Sequence, residues 1–155
     1  MRPSTLAPLG LALILAVPAR AQTAGDSVRA VITALFDGMR AGDSTAVLAA
    51  FHPDGRLMTA ARVRDGSERV DETPVAAFAH AVGTKPAGSV WDERLGEVEV
   101  RVDGPLASVW APYHFYADGA LSHCGVNEFQ IVRAAGAWRI LQITDTRRRA
   151  GCTPE

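Results

Sequence analysis

Residues Trp110–Cys124, which read WAPYHFYADGALSHC, decide the fold of this chain. Two runs of alternating residues flank Asp118-Gly119, a dipeptide typical of the two-residue turn of a β-hairpin. Both runs carry polar side chains along a face that a sheet would normally bury. A buried polar group is costly unless it is hydrogen-bonded or lines a cavity, so this hairpin predicts one wall of a pocket.

Further strands are predicted on either side of the hairpin. Together with Asp118-Gly119, the turn signals Asp103-Gly104 and Ala135-Gly136 divide the segment from about Trp91 to Arg147 into four consecutive antiparallel strands. In the first of these strands the apolar positions are odd-numbered before Gly96 and even-numbered after it. That change of parity predicts a β-bulge at Gly96 and a bent strand.

Two helices are predicted near the start of the chain. Asp26 caps the first, which covers about Ser27–Ala41 and ends at Gly42. Its apolar stripe recurs at helical spacing and comprises Val28, Val31, Ile32, Leu35, Phe36 and Met39. Asp43 caps a short second helix that Pro53 ends. The residues predicted on its buried side are Val47, Leu48 and Phe51.

One strand and a third helix complete the predicted order. Leu57–Ala60 forms a short strand, and the polar segment Ala61–Glu72 forms an exposed loop or a weak edge hairpin. Thr73-Pro74 starts the third helix, which ends at Gly83. The order α-α-β-α-β-β-β-β predicts an α+β fold, a conical half-barrel in which three N-terminal helices pack on a strongly bent antiparallel sheet.

The N-terminus has the three parts of a secretory signal peptide. Met1-Arg2 is positively charged, Leu6–Val17 is an apolar run of 12 residues, and Ala19-Arg20-Ala21 fits a cleavage site. The run is too short for the ~20 residues of a membrane span. We therefore expect a signal peptide at residues 1–21 and a single mature domain at 22–155, exported to the periplasm or secreted.

Charge and cysteine content narrow the class of protein. Without the signal peptide the chain has 14 basic and 17 acidic residues, a net charge of −3, which argues against nucleic-acid binding. No second hydrophobic segment is long enough to cross a bilayer. The two cysteines favour a Cys124–Cys152 disulfide in an exported protein, with two free thiols or an intersubunit bond as the alternatives.

Three sequence segments carry a family resemblance. GMRAGDSTAVLAAFHPDG (38–55) and GAWRILQITDT (136–146) resemble the nuclear transport factor 2-like (cystatin-like α+β) superfamily. WAPYHFYADGALSHCGVNEFQIVR (110–133) is similar to exported bacterial members labelled putative lumazine-binding. The resemblance spans about Asp26–Arg147. It implies a conical pocket and frequent homodimers, but the superfamily includes isomerases, dehydratases, cyclases and non-catalytic binders, so it implies no single function.

The resemblance also allows a position-by-position test for the site of a ketosteroid isomerase. The position of the tyrosine donor is Leu35 here, and that of the general-base aspartate is about Thr59. The position of the oxyanion-hole aspartate is Asn127, which can still form hydrogen bonds. The resemblance therefore implies no enolisation through a carboxylate at those positions.

The predicted pocket wall follows from the hairpin register. A two-residue turn at Asp118-Gly119 places His114 opposite His123 and Trp110 opposite Asn127. A register slip of one residue would send these side chains to the other face. The predicted ligand-binding residues are Trp91, Trp110, His114, Tyr116, His123 and Asn127.

Three of the pocket residues are candidates for acid–base chemistry. The register brings Glu93 near His114 and His123, so a carboxylate could orient an imidazole that titrates near neutral pH. Asn127 could stabilise an oxyanion. Alternatively, these residues form a purely structural polar network or lie on an exposed face. Their spacing lacks the tight pattern of a zinc site, so no metal is predicted, and Cys124 points away from the cavity.

The outer face of the predicted sheet is apolar. Its residues are Tyr113, Phe115, Val126 and Val132. An exposed apolar surface needs a cover, so we expect a homodimer through this face. The leading functional hypothesis is an exported protein that binds a small, partly apolar molecule without a cofactor. The alternatives are an acid–base enzyme of the isomerase, dehydratase or cyclase type, and a non-catalytic dimeric accessory protein.

Overall fold

A computed structural model describes residues 23–63 and 65–153 of the chain. The predicted signal peptide, residues 1–21, lies outside the described residues. The elements in chain order are α1 Ala24–Ala41, α2 Ser44–Ala50, β1 Phe51–Arg62, β2 Glu68–Thr73, α3 Val75–Gly83, β3 Trp91–Leu95, β4 Glu99–Asp103, β5 Leu106–Ala117, β6 Ala120–Ala134 and β7 Ala137–Arg148. Three helices pack on one curved sheet, which confirms the predicted α+β class.

The strands form a single seven-stranded sheet of mixed direction. Its order is β2-β1-β7-β6-β5-β3, and β4 also pairs with β5. β1 runs parallel to β7, with Thr59 opposite Asp145, so the prediction of a wholly antiparallel sheet is wrong at this pair. Parallel neighbours need a long crossover, and the 74 residues between Arg62 and Ala137 provide it.

The helices begin and end slightly away from their predicted bounds. Thr23, not Asp26, is the N-cap of α1; Asp26 is the third helical residue and completes a capping box with Thr23. Asp43 caps α2 as predicted. Leu48 lies in α2, but its side chain is exposed and not buried as predicted. Phe51 was predicted to belong to this helix, which is wrong, because it begins β1.

The predicted bulge at Gly96 is confirmed, and it divides the bent strand into β3 and β4. Leu95 pairs with Tyr113, and Glu99 pairs with Trp110. Three residues on one strand therefore oppose two on β5, which is the count of a β-bulge. The polar segment after Arg62 is an edge strand, β2, whose residues are all exposed.

A second bulge, in β6, changes the register of the central hairpin. Tyr116 pairs with Leu121, but Phe115 pairs with His123, so Ser122 is an extra residue. The predicted pairing of His114 with His123 is therefore wrong. An offset of one residue exchanges the two faces of β5 relative to β6.

The hydrophobic core lies between the helices and the inner face of the sheet, which is the face toward α1. Phe36 of α1 meets Phe129 of β6 edge to face, with ring centroids 6.3 Å apart. Val28, Val47, Val109 and Ile140 are fully buried in this core. On the opposite, outer face, Cys124 forms a disulfide with Cys152 and ties the C-terminal tail to β6.

Candidate functional site

A cavity of about 570 Å³, the central cavity, lies between α1, α3 and the inner face of the sheet. Its size falls in the range of small-molecule sites. Most of its wall is apolar and comes from both helices and five strands. The apolar lining residues are Leu35, Phe36, Met39, Leu57, Ala77, Phe78, Ala81, Trp91, Phe115, Ala117, Phe129 and Ile143.

Polar side chains cross the inner face of the sheet in a row, the polar row, from β3 to β1. It comprises Glu93, Asn127, Asp145 and Thr59, all of which line the central cavity. The Asn127 amide donates a hydrogen bond from Nδ2 to Glu93 Oε1 at 2.6 Å. Asn127 and Asp145 are directly opposite in the β6–β7 register.

Asp145 is the centre of a second hydrogen-bonded group. It is buried and accepts hydrogen bonds from Thr59 Oγ1 at 2.5 Å and Tyr113 Oη at 3.0 Å. Arg147 donates to the same carboxylate from Nη2 at 3.1 Å. Three donors on one carboxylate leave it little free capacity for a ligand. The Tyr113 ring reaches Asp145 by passing over Gly125, its partner in the β5–β6 register.

Glu93 is the carboxyl group of the polar row that titrates near neutral pH. Desolvation of the buried carboxylate raises the pKa of Glu93 to about 7; the Asn127 hydrogen bond lowers it, and the negative charge of Asp145 raises it. The residue as a whole is half-buried, since a side chain that lines a cavity keeps accessible surface. Glu93 can therefore act as a proton donor or acceptor at neutral pH.

His123 lies beside this group as a neutral imidazole. Its desolvation and the positive charge of Arg147 lower the pKa of His123 to about 4. The imidazole stacks on Phe115 at a centroid distance of 4.8 Å and meets the Tyr113 ring edge to face at 5.8 Å. At neutral pH His123 thus contributes a polar aromatic wall and no charge.

Of the predicted site residues, the structure brings four together and separates three. Trp91, Glu93, His123 and Asn127 line the central cavity. Their predicted functional roles stay predictions. The other three were predicted on the cavity wall but do not line it, so their predicted position is wrong. They are Trp110, His114 and Tyr116.

The extra residue Ser122 is the reason for these errors, because it places the even-numbered residues of β5 on the outer face. There His114 pairs with Cys124. The guanidinium of Arg94 lies over the Tyr116 ring at 4.2 Å from its centroid. Trp110 is 50% exposed.

Five site residues were missed by the sequence-based prediction. They are Thr59, Tyr113, Phe115, Asp145 and Arg147. Tyr113 and Phe115 were expected on the outer face, and the same bulge explains that error. Asp145 forms an ion pair with Arg147. The sequence did contain a signal that Asp145 faces inward. Ile143 is a core residue two positions earlier on the same strand, and alternate residues of a strand share a face.

Within residues 23–63 and 65–153, no group of three histidine, cysteine or acidic residues is placed to hold a metal ion. Among the described helices, none is both long and apolar enough to cross a membrane.

The raised pKa of Glu93 predicts a pH-dependent contribution to stability. Folding favours protonated Glu93, so its contribution is fully present below pH 4.5, falls as the pH rises through about 7, and is absent above that. Glutamine cannot ionise. The free energy of unfolding of Glu93→Gln, minus that of the wild type, should therefore rise by up to about 3 kcal/mol from about pH 4.5 to about pH 8.

Urea unfolding of both proteins across this pH range measures the difference. The contribution of His123 is common to both proteins and cancels. A difference that does not change with pH would show that Glu93 ionises at its ordinary pKa.

The chain is similar in sequence to one protein family. The sequence model of a family described as "Putative lumazine-binding" matches residues 23–144. No curated protein matches the chain at a significant level.

Solved structures match the fold at low sequence identity. The β subunit of a putative aromatic-ring-hydroxylating dioxygenase from Novosphingobium aromaticivorans has a TM-score of 0.66 at 17% identity, covering 86% of this chain and 94% of that one. A putative dehydratase of the NTF2-like family from Streptomyces avermitilis has a TM-score of 0.60 at 19% identity, covering 81% and 96%. An NTF2-like protein with a cystatin-like fold from N. aromaticivorans has a TM-score of 0.61 at 17% identity, covering 81% and 82%.

Proposed function

Since the chain belongs to the family described as putative lumazine-binding, we propose that it binds a small, partly apolar molecule in the central cavity. The observation that carries this proposal is the cavity itself, about 570 Å³ with an apolar wall and one polar row. Ligand sites in proteins combine these features, a mostly apolar enclosure with a few polar groups that set the orientation.

The apolar wall would supply most of the binding free energy. Trp91 and Phe115 meet edge to face at 6.4 Å, and Phe78 of α3 lies on the helical side of the cavity. Burial of apolar area contributes roughly 25 cal/mol per Å², and aromatic side chains offer flat surfaces for a planar or chain-like ligand.

The polar row would set the orientation of the ligand. Asp145 is occupied by three donors, whereas Glu93 accepts one hydrogen bond, from Asn127, through Oε1. In the described part of the chain, no hydrogen bond reaches the second carboxyl oxygen of Glu93. That oxygen can accept a proton or donate one to a ligand near neutral pH, because the pKa of Glu93 is raised to about 7.

Native mass spectrometry of the protein isolated from its own organism tests the binding proposal. We expect an additional mass of a few hundred daltons that is lost on denaturation. The substitution Ala81→Trp, which places an indole in the central cavity, should remove it. Ala76 is exposed on the same helix, so Ala76→Trp is the matched control and should retain the mass. An adduct retained equally by both variants would place the ligand elsewhere.

Glu93 supports one alternative, an enzyme of the isomerase, dehydratase or cyclase type. A general acid or base works best with a pKa near the operating pH, and the pKa of Glu93 is about 7. A structure of similar fold is described as a putative dehydratase. In a screen of carbonyl substrates, Glu93→Gln should then abolish turnover while binding of an apolar probe is unchanged.

Export and dimerisation are part of the same proposal. The Cys124–Cys152 disulfide supports an oxidising compartment, consistent with the signal peptide expected at residues 1–21. Leu106 and Trp110 are exposed on the outer face of β5 and could be covered by a second subunit.

A further inference from the structure

The wall of the central cavity has a net negative charge when Glu93 is ionised. Among the described residues, the charged or titratable side chains that line it are Glu93, His123, Asp145 and Arg147. The charges of Asp145 and Arg147 offset each other in an ion pair of 3.1 Å. His123 is neutral near pH 7, because desolvation lowers its pKa to about 4. The charge that remains is the carboxylate of Glu93, since α1 and α3 contribute only apolar residues to the wall.

The Glu93 carboxylate has no cationic partner within the described chain. Its one hydrogen bond comes from the Asn127 amide and reaches Oε1. The nearby hydroxyl donors, on Thr59 and Tyr113, both donate to Asp145. In the same part of the chain, neither Glu93 Oε2 nor Asn127 Oδ1 has a hydrogen-bond partner, and both side chains line the central cavity. Two acceptor oxygens, one of them on a charged group, are therefore open to a ligand.

Aromatic rings lie beside this carboxylate on the inner face of the sheet. Trp91 is two residues before Glu93 on β3, Phe115 is the partner of Glu93 on β5, and His123 is the partner of Phe115 on β6. The rings of Trp91 and Phe115 meet at 6.4 Å, and His123 stacks on Phe115 at 4.8 Å. The face of an aromatic ring attracts a cation, as a carboxylate does, so the two together favour a positively charged group.

We propose that the ligand of the central cavity carries a protonated nitrogen that donates hydrogen bonds to Glu93 and Asn127, while its apolar body packs against Trp91 and Phe115. This inference rests on the proposed function and adds the chemical class of the ligand, an organic ammonium, an amidinium or a protonated nitrogen heterocycle. These groups share a positive charge and N–H donors, which match the two open oxygens. An anion would instead meet an uncompensated carboxylate and bind weakly.

Three compounds with the same aromatic body test the charge of the ligand. At about pH 8, 1-naphthylmethylamine is a cation, 1-naphthylmethanol is neutral and 1-naphthylacetate is an anion. Isothermal titration calorimetry of the purified protein should give the affinity order amine, alcohol, acetate. The amine should bind at least about tenfold more tightly than the alcohol, because a charge-assisted hydrogen bond is stronger than a neutral one. An alcohol or acetate that binds as tightly as the amine would contradict the proposal.

A charge-removing substitution assigns the preference to Glu93. Glu93→Gln keeps the size of the side chain, so it should bind the alcohol like the wild type and the amine about tenfold more weakly. Glu97→Gln is the matched control, because Glu97 is an exposed glutamate between β3 and β4 and its loss changes the net charge equally. It should bind the amine like the wild type. A preference for the amine that survives in Glu93→Gln, or an equal loss in both variants, would overturn the role of Glu93.

The pH dependence of amine binding gives a second readout. Burial raises the pKa of Glu93 to about 7, and the cation requires the ionised carboxylate. The wild type should therefore bind the amine about tenfold more weakly at about pH 5.5 than at about pH 8, while Glu93→Gln shows no change. The other groups facing Glu93 are Asp145, Tyr113, whose pKa is raised by burial, and His123 and Arg147. An amine affinity of the wild type that does not change with pH would contradict the proposal.

The outcomes distinguish this inference from the proposed function. If the amine does not bind the wild type, the neutral apolar probe N-phenyl-1-naphthylamine is titrated into the same protein. Binding of that probe would overturn the cationic group and leave the binding cavity intact. Failure of the probe to bind would overturn both.

Discussion

Replacing Gly125 with alanine is expected to destabilise the protein by more than about 4 kcal/mol or to prevent folding. A Cβ atom at this position would lie 1.8 Å from the backbone oxygen of Thr146 and 2.9 Å from Cε1 of Tyr113. The first contact is with the backbone of β7, so no side-chain rotation relieves it. The sheet would have to separate where Tyr113 crosses to Asp145.

Urea unfolding of the purified variant, or its yield of folded protein, measures this effect. Gly25→Ala is the matched control, because a Cβ atom at Gly25 meets only Thr23 Oγ1 at 3.8 Å. It lies in α1, where alanine should be neutral or stabilising by up to about 1 kcal/mol. A Gly125→Ala protein as stable as Gly25→Ala would contradict the close strand approach.

Replacing Asp145 with alanine is expected to cost about 3–4 kcal/mol of the free energy of unfolding. The substitution leaves the buried Tyr113 hydroxyl without its carboxylate acceptor and removes the partner of the Arg147 guanidinium. It also removes the acceptor of Thr59. The large effect follows because unpaired polar groups would remain in the wall of an otherwise apolar cavity.

Asp71→Ala provides the comparison for an exposed ion pair. Asp71 binds Arg69 at the surface, so its loss should cost no more than about 1 kcal/mol. Both variants are compared by urea unfolding at about pH 7. Similar costs for the two substitutions would mean that the Asp145 group is not a buried network.

Much of the architecture could be predicted because it depends on local signals. The apolar stripe of α1 and the turn dipeptides define elements whose observed boundaries lie within a few residues of the predicted ones. The bulge at Gly96 was predictable because apolar residues change parity around it and a glycine marks it.

The turn alone could not show which residues of β5 face the core. The bulge at Ser122 has no glycine or proline beside it, and one extra residue reverses every assignment made by counting back from Asp118-Gly119. The pattern within β5 was the better guide, because Val109 and Ala111 are core residues and share the parity of Tyr113.

The candidate site was predicted on β3 and β6 and missed on β1 and β7. Glu93 and Asn127 lie in the cavity as expected. Thr59 and Asp145 meet only because β1 joins β7 in parallel, a pairing between strands far apart in the chain. No local pattern specifies that pairing.

Titration with N-phenyl-1-naphthylamine tests most directly whether the central cavity is a binding site. The wild type and Ala76→Trp should each bind one probe per chain with similar affinity. Ala81→Trp should bind at least about tenfold more weakly, because its indole occupies the space beside Phe78. Thermal unfolding of the three proteins confirms that each is folded. If Ala81→Trp binds the probe as tightly as the wild type, the cavity is not the binding site.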